Sequence, residues 1–387
     1  MILKFQNNST LNIMIILFLI LTIAFVSTYI SIPSIIKVAY QKHLCDEPDE
    51  ERKIHKQGIP TLGGIAIFGG AIITSTFFVN FSSTPQFGYA LSALILLFFT
   101  GVKDDIIPLS PSKKILAQLI AAGVIVFKCD IRLTNLYGLF YIDKIPYEIS
   151  IVMSILTILL IVNAFNLVDG INGLSGGLGM ISSLSFGILF LVLENENWAY
   201  IAFSLSGALL AFLCYNYGKE AKIFMGDTGS LTVGLFLAIF ALQFIEMNRV
   251  ANYFKPTFAP VYTVTILAIL LGDALRLFTW RILQKRSPFS GDRNHFHHYL
   301  ADGGLSHPQA CWVLYTMNLF LIGIMLLFRN VEQVLSITFL LVIFGIFTYI
   351  LWNFRHNKKQ KDAIGNEIIT LNNTSEKKNK QQNIAKA

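Results

Sequence analysis

Acidic residues stand at the edges of long apolar segments, where their charge must be compensated. Asp104 and Asp105 end one such segment, and Asp227 lies in Phe-Met-Gly-Asp-Thr-Gly-Ser, just before another. Adjacent carboxylates repel each other and resist loss of solvent. Mg²⁺ compensates such groups well, since it takes one or two carboxylates, water and substrate phosphates. For the Asp pair, a solvated helix end neutralised by Lys103 is an equally good interpretation on residue type alone.

Asp227 also has a simple structural interpretation, because Asp-Thr-Gly-Ser is a common way to begin a helix. Capping explains the Asp and the Ser. It does not require the glycines on both sides, Gly226 and Gly229, which allow another backbone to approach closely. Amides at a helix start also suit a phosphate. We therefore favour a functional role for Asp227.

A stretch rich in Asn and Gly, residues 163–173, separates two further apolar segments. It contains Asp169, with Asn166 and Asn172 close by. The amides could recognise a nucleobase or a sugar, but a plain turn between helices has the same composition. Residue type leaves both interpretations open.

Three histidines, His295, His297 and His298, follow Arg293 in a polar loop. Without a nearby Cys or an HExxH helix, zinc is the less favoured interpretation. A cradle for a diphosphate is consistent with the pattern, because Arg293 could bind an oxyanion with two donors. We interpret the remaining loop and tail histidines as ordinary residues: His43, His307 and His356.

Other charged residues have common structural explanations. Lys53, Lys56 and Lys114 could contact lipid phosphates rather than a substrate. Asp273 and Arg276, three apart within an apolar segment, are interpreted as a private ion pair on one helix face.

The composition places the chain in a membrane. Of its 387 residues, 54% are hydrophobic and 14% are charged, against about 25% charged in soluble domains. The net charge of +7 owes much to a basic tail, which suits the cytoplasmic face of a membrane better than nucleic acid. We predict one membrane domain over residues 1–355 and a disordered cytoplasmic tail over residues 356–387.

Apolar stretches long enough for a bilayer predict an all-α polytopic fold with about eleven membrane spans. The predicted spans are 11–39, 61–82, 87–103, 113–128, 149–166, 174–193, 198–216, 229–246, 259–283, 308–328 and 333–353. The excess of Lys and Arg in alternate loops puts the N-terminus outside and the C-terminus in the cytoplasm. The polar clusters at 46–58, 103–105, 166–173, 224–230 and 287–298 then all lie on the cytoplasmic side. We expect them to form one composite site at the inner membrane.

Together these clusters resemble the polyprenyl-phosphate N-acetylhexosamine-1-phosphate transferases, the glycosyltransferase 4 type, from about residue 45 to 300. Arg-Lys-x-His at 52–55, Gly-Ile-Pro-Thr-Leu-Gly-Gly from 58, and Asp-Arg-x-His-x-His-His from 292 look like the branch that uses UDP-N-acetylglucosamine. The resemblance implies transfer of a sugar 1-phosphate from a UDP-sugar to undecaprenyl phosphate with release of UMP. That reaction would be the first membrane step of cell-envelope glycan synthesis.

The resemblance also implies roles for individual residues. Asp227 would be the principal Mg²⁺ ligand, with Asp105 close to the metal and Mn²⁺ as an alternative ion. Asp104 would orient the acceptor phosphate and could deprotonate it. Asp169 joins these three as a catalytic candidate. The implied substrate-binding residues are Lys56, Thr61, Lys114, Asn166, Asn172, Phe224, Arg293, His295, His297 and His298.

The sequence departs from the family pattern at two places. Asn172 stands where many relatives have a second aspartate, which predicts an altered donor preference. The segment from Asn216 to Phe224 is one residue longer than usual. Open alternatives are a phospho-MurNAc-pentapeptide transferase, an inert lipid-binding scaffold and a secondary transporter, although transporter carboxylates commonly lie near the midplane of the membrane. The sequence leaves open whether the chain forms a homodimer.

Overall fold

The computed structural model describes residues 2–46, 58–139, 142–218, 220–255, 257–286 and 294–384, with side chains over 11–45 and up to 360. The described residues are almost entirely helical. The helices are α1 Ile2–Gln41, α2 Gly63–Phe78, α3 Pro85–Ile106, α4 Pro111–Phe127, α5 Tyr147–Val168, α6 Leu174–Val192, α7 Glu196–Asn216, α8 Gly226–Ala251, α9 Phe258–Ile266, α10 Ala268–Leu283, α11 Phe296–Asp302, α12 His307–Leu327 and α13 Gln333–Ile384.

The prediction of an all-α polytopic membrane protein is confirmed. Within the described ranges, 8 helices are long and apolar enough to cross a membrane, and the bent pair α9–α10 could make a ninth span. The predicted segments at 61–82 and 113–128 form shorter helices of 16 and 17 residues. The total of eleven spans and the sidedness of the termini stay predictions.

Helix α8 lies at the centre of the bundle and is almost entirely buried. Helices α2, α3 and α5 pack against it. Glycines allow this close approach, since a Cβ added at Gly64 would lie 2.0 Å from the Gly229 nitrogen. A Cβ at Gly101 of α3 would lie 2.4 Å from the Cα of Thr228. The start of α8, which carries Asp227, is therefore fixed by two neighbouring helices.

A short hairpin leads into the same region. Strand β1, Cys45–Asp46, pairs antiparallel with β2, Ile59–Pro60. The Phe224 amide donates to the Pro60 carbonyl at 2.7 Å, and the Gly63 amide donates to the Phe224 carbonyl at 2.9 Å. These bonds hold the segment between β2 and α2 beside the segment that precedes α8.

The span formed by α9 and α10 is broken near Leu267, where its two halves meet at 83°. A break at membrane depth frees backbone groups that need other partners. The Ile266 carbonyl accepts from Ser182 Oγ of α6 at 3.3 Å and from Asn318 Nδ2 of α12 at 3.1 Å. Side chains of two other helices thus satisfy the backbone at the break.

The last helix continues to Ile384, through the segment expected to be a disordered tail. A helix in water gains most of its stability from packing an apolar face. The tail sequence is mostly Lys, Asn, Gln and Glu, so its disorder in solution, and the domain boundary at residue 355, stay predictions.

Candidate active site

The ends of several helices meet around a cavity of about 560 Å³. Helices α3 and α5 end there, and α8 and α12 begin there. The lining residues are Thr61, Asp104, Asp105, Pro108, Asn166, Asp169, Gly170, Ile171, Asn172, Asn216, Phe224, Gly226, Asp227 and His307. Three of the predicted polar clusters, at 103–105, 166–173 and 224–230, therefore lie on one side of the bundle, as expected.

Lys114 lies between two of the candidate carboxylates. Its Nζ is 2.5 Å from Asp104 Oδ2 and 2.7 Å from Asp227 Oδ2. Asp104 also accepts the Leu109 amide at 2.6 Å, and Asn166 donates to Asp227 Oδ1 at 2.5 Å. Asp104 is buried, which makes its charge costly unless it is paired. The ammonium therefore marks a position where the protein favours positive charge.

Asp105 faces the start of α8 rather than Lys114. Its Oδ1 accepts the Asp227 amide at 2.7 Å, and its Oδ2 accepts the Thr228 amide at 3.0 Å and the Thr228 hydroxyl at 2.5 Å. Gly226 has φ +70° and leaves no room for a Cβ, which would lie 2.8 Å from both Asp105 oxygens. Asp105 thus caps α8 from another helix and fixes the backbone of Asp227.

Asp169 follows the end of α5 and is held by Ser175, whose hydroxyl donates to Oδ1 at 2.6 Å. Burial raises the pKa of Asp169 to about 6. The next residues turn sharply into α6 through Gly173, which has φ +91°. Asp169 is therefore a carboxyl group that titrates close to neutral pH on the cavity wall.

Asn216 joins two walls of the cavity. Its side chain accepts the Gly173 amide at 2.7 Å and donates to the Ile223 carbonyl at 2.8 Å. Asn172 donates to the Gly218 carbonyl at 3.3 Å, so its amide faces the 217–223 loop. The two departures from the family pattern, Asn172 and the longer 216–224 segment, are in contact with each other.

The three predicted histidines of the polar loop lie behind this wall and do not line the cavity. His295 Nδ1 is 3.0 Å from Asp273 Oδ2, and the Phe296 amide donates to both oxygens of Asp273 at 3.3 Å. A Cβ added at Gly170 would lie 2.6 Å from His297 Nε2. The His298 ring centre is 4.3 Å from that of His297. The structure thus places the segment against the Asp169–Gly170 turn.

Burial lowers the pKa of His297 to about 3, and the nearby His298 acts in the same direction. His297 is therefore a neutral imidazole at physiological pH. It can accept or donate a hydrogen bond but brings no charge to a diphosphate.

The structure differs from the sequence-based interpretation of one ion pair and one histidine. The Asp273–Arg276 ion pair is confirmed at 2.7 Å, but it is not private, since Asp273 also holds His295 and the first amide of α11. His307 is not an ordinary loop residue, because it lines the cavity at the start of α12. The available signals were an Asp buried in an apolar span, which needs several partners, and a His at a helix start on the site side.

Two predicted substrate-binding residues, Lys56 and Arg293, lie outside the described residues. The cavity is lined by four others, Thr61, Asn166, Asn172 and Phe224. Lys114 forms ion pairs with the cavity carboxylates of Asp104 and Asp227. Their roles towards a substrate stay predictions.

The carboxylates around Lys114 suit a divalent cation that keeps most of its ligands from water and substrate. Among the residues described, no group of three or more His, Cys, Asp or Glu could hold a metal ion. Mg²⁺ commonly needs only one or two protein carboxylates. Asp227 and Asp104 supply these on either side of one cation position, whereas both oxygens of Asp105 already accept hydrogen bonds from α8.

Comparison with known proteins identifies the family. The profile of glycosyl transferase family 4 matches residues 87–245, which contain the Asp104, Asp169 and Asp227 segments. An undecaprenyl-phosphate alpha-N-acetylglucosaminyl 1-phosphate transferase of Escherichia coli (strain K12) is 30% identical over 326 residues, which cover 80% of this chain and 84% of that protein.

Two further relatives carry similar names. The Salmonella typhi protein of the same name is 30% identical over 289 residues, covering 73% of this chain and 75% of the relative. A probable undecaprenyl-phosphate N-acetylglucosaminyl 1-phosphate transferase of Bacillus subtilis (strain 168) is 29% identical over 333 residues, covering 84% and 90%. This degree of identity over most of the chain shows that it belongs to glycosyl transferase family 4, the family of polyprenyl-phosphate N-acetylhexosamine-1-phosphate transferases.

Proposed function

We propose that the protein transfers N-acetylglucosamine 1-phosphate from UDP-N-acetylglucosamine to undecaprenyl phosphate and releases UMP. The observation that carries this proposal is the Asp104–Lys114–Asp227 arrangement at the wall of a cavity built from helix ends. It provides fixed charges of both signs where two phosphate groups must meet. The names of the relatives supply the substrates.

The position of the cavity at one end of the membrane helices suits this pair of substrates. A polyprenyl phosphate keeps its chain in the bilayer and its phosphate at the headgroup level, while the nucleotide sugar is soluble. The excess of Lys and Arg on the site side supports our proposal that this end faces the cytoplasm at the inner membrane. A transporter would need carboxylates nearer the midplane of the membrane, so the geometry supports an enzyme.

In the proposed reaction an oxygen of the lipid phosphate attacks the phosphorus bound to the sugar. A new phosphoanhydride bond forms, the bond to the UMP oxygen breaks, and UMP leaves with the electron pair. Both reactants are anions, so the residues must offset their repulsion. Lys114 is placed to bind a phosphate oxygen when it leaves its carboxylates, and Asn166 keeps Asp227 in position during that exchange.

Mg²⁺ fits the same arrangement, with Asp227 and Asp104 as its protein ligands. When bound, it would neutralise phosphate charge and stabilise the leaving UMP. Asp105 would act on Asp227 through the start of α8. This assignment differs from the one that the family resemblance implies, in which Asp105 rather than Asp104 lies next to the metal.

The test is UMP release by the purified full-length protein in lipid nanodiscs with undecaprenyl phosphate and a series of UDP-N-acetylhexosamines. We expect turnover with UDP-N-acetylglucosamine that is lost with EDTA and restored by Mg²⁺. A matched control is Asp143→Asn, which changes an exposed carboxylate between α4 and α5 at the other end of the bundle. Turnover only with UDP-MurNAc-pentapeptide would move the protein to the translocase branch, and no UMP from any donor would contradict the proposal.

A further inference from the structure

A second cavity, of about 590 Å³, lies between α10, α11 and α13. It shares no lining residue with the first cavity. Its lining residues are Arg276, Trp280, Asn294, Tyr299, Gly345, Thr348, Tyr349, Trp352, Arg355, His356 and Lys359. The proposed transfer reaction uses none of these side chains.

The wall of this second cavity is strongly basic. Arg276, Arg355 and Lys359 bring three basic side chains, and none of the described lining residues is acidic. The carboxylate partners of the two arginines, Asp273 and Asp302, are each 2.7 Å from one guanidinium nitrogen and are not part of the wall. Within the described structure, the Nε atoms of both arginines are buried without a hydrogen-bond partner. Guanidinium groups bind phosphate oxygens well, because their paired donors match the geometry of a phosphate.

The arginines are also held in place by an aromatic ring. The Tyr299 ring contacts both, with its centre 5.1 Å from the guanidinium carbon of Arg276 and 4.8 Å from that of Arg355. Such cation–π contacts orient a guanidinium group, and Arg276 Nη1 also donates to the Tyr299 hydroxyl at 3.3 Å. The two charges are thus preorganised side by side.

The rest of the wall is aromatic and reaches the lipid-facing surface. Trp280, Tyr349 and Trp352 are exposed to 39%, 62% and 47%. Trp and Tyr concentrate at the level of lipid headgroups. Basic pockets between membrane helices at that level suit anionic headgroups. The combination of fixed guanidinium groups and exposed rings fits a molecule with a phosphate at one end and apolar chains at the other.

We propose that the second cavity binds an anionic membrane phospholipid, with its phosphodiester at Arg276, Arg355 and Lys359 and its acyl chains along Trp280 and Tyr349. A zwitterionic lipid fits less well, because its ammonium group meets an excess of positive charge. Free phosphate would gain nothing from the aromatic wall.

A lipid bound in the second cavity would influence the first cavity through a short chain of contacts. Arg276 binds Asp273 at 2.7 Å and the Asn294 carbonyl at 2.5 Å. Asp273 holds His295 and the first amide of α11, and His297 of that helix packs on Gly170 of the first cavity. A lipid phosphate on Arg276 would therefore steady the histidine segment.

The experiment reads lipid binding without any donor sugar, so it does not depend on the proposed transfer reaction. The chain has four tryptophans, and two of them, Trp280 and Trp352, line the cavity. Full-length Trp312→Phe protein, which lacks the exposed Trp312, is placed in nanodiscs that contain brominated phosphatidylglycerol or brominated phosphatidylcholine. We expect stronger quenching of tryptophan fluorescence by the brominated phosphatidylglycerol.

A matched pair of substitutions tests the role of charge. Lys359→Gln removes a charge from the wall, and Lys358→Gln removes its neighbour, which is not a lining residue. We expect the preference for the anionic lipid to fall about five-fold in Lys359→Gln and to persist in Lys358→Gln. Lys359 is exposed, so its substitution should not affect folding, whereas Arg355→Gln could do so by releasing Asp302.

Three outcomes would overturn the proposal. The first is equal quenching by the two brominated lipids, or an unchanged preference in Lys359→Gln. The second is displacement of brominated phosphatidylglycerol by millimolar inorganic phosphate, which would indicate a simple anion site. The third is displacement by undecaprenyl phosphate at a lower mole fraction than unlabelled phosphatidylglycerol, which would assign the cavity to the acceptor.

Discussion

Two helix starts in this protein are held in the same way but in different surroundings. Asp105 of α3 accepts the amides of the second and third residues of α8, and Asp273 of α10 accepts the first amide of α11. In both cases a carboxylate from one helix binds the N-terminus of another, where the helix dipole favours negative charge. Each helix then presents a side chain of chemical interest, Asp227 in α8 and His297 in α11.

The two helices differ in how much else holds them. Helix α8 has 26 residues and is buried on nearly every side, while α11 has only 7 residues, of which Phe296, His297, Tyr299 and Leu300 are buried. A carboxylate that must hold a cation and a phosphate at fixed positions benefits from the first arrangement. A segment that must adjust to a substrate benefits from the second, because a short helix makes fewer contacts in total and moves more easily. The comparison predicts a rigid carboxylate side and an adjustable histidine side.

The largest effect is expected from Asp227→Asn, on the rigid side. The substitution keeps the shape and removes the charge, so UMP release should fall at least about 100-fold while the thermal unfolding temperature stays near that of the unchanged protein. Asp143→Asn, measured in parallel, should retain activity. If Asp227→Asn lowered UMP release by less than about three-fold, the carboxylate would not be part of the reaction.

Asp105→Asn tests whether this residue positions α8 or binds the metal. Because a charged acceptor of two amides and a hydroxyl is lost, we expect destabilisation of about 1.5–3 kcal/mol, measured as a lower unfolding temperature in detergent. The Mg²⁺ concentration for half-maximal activity should change little, whereas in Asp104→Asn it should rise. A higher Mg²⁺ requirement in Asp105→Asn without destabilisation would place Asp105 on the metal instead.

Asp273→Asn should have a smaller effect, on the adjustable side. The start of α11 loses its anionic acceptor, so the KM for the UDP-sugar should rise about ten-fold with a smaller change in kcat, as a loss of positioning predicts. Hydrogen exchange of the α11 amides should become faster. Asp130→Asn breaks an ion pair with Arg132 at the other end of the bundle, 2.8 Å long, and should change neither quantity. Unchanged exchange in Asp273→Asn would contradict the positioning role.

The smallest effect concerns the junction of the two sides, where His297 packs on Gly170 beside Asp169. Burial raises the pKa of Asp169 to about 6, so its negative charge is present at pH 7.5 and is lost as the pH falls through 6. We expect kcat/KM to decline below pH 6 in the unchanged protein. Phosphate monoesters titrate near the same pH, so the pH profile of Asp169→Asn is the control. An identical decline in both proteins would assign the titration to the acceptor lipid rather than to Asp169.

The sequence was sufficient to predict the helices and the convergence of the polar clusters. Long apolar segments permit few alternatives in a bilayer, and short motifs at their ends indicated the cavity residues Asp104, Asp169 and Asp227. The partners of individual side chains were not predictable. That Asp105 binds α8 while Asp104 binds Lys114 depends on how α3 is rotated against α8. The roles of Asp273 and His307 likewise depend on which helices become neighbours, and a single sequence does not specify this.

The right-angle bend between α9 and α10 has a wider consequence for this architecture. Ser182 and Asn318 satisfy the Ile266 carbonyl at the bend, so two side chains that line neither cavity help to fix the point where α10 begins. Asp273 and Arg276 both lie on α10. Polar side chains at the bend therefore contribute, from outside both cavities, to the position of the half-helix whose Asp273 holds His295 and the start of α11.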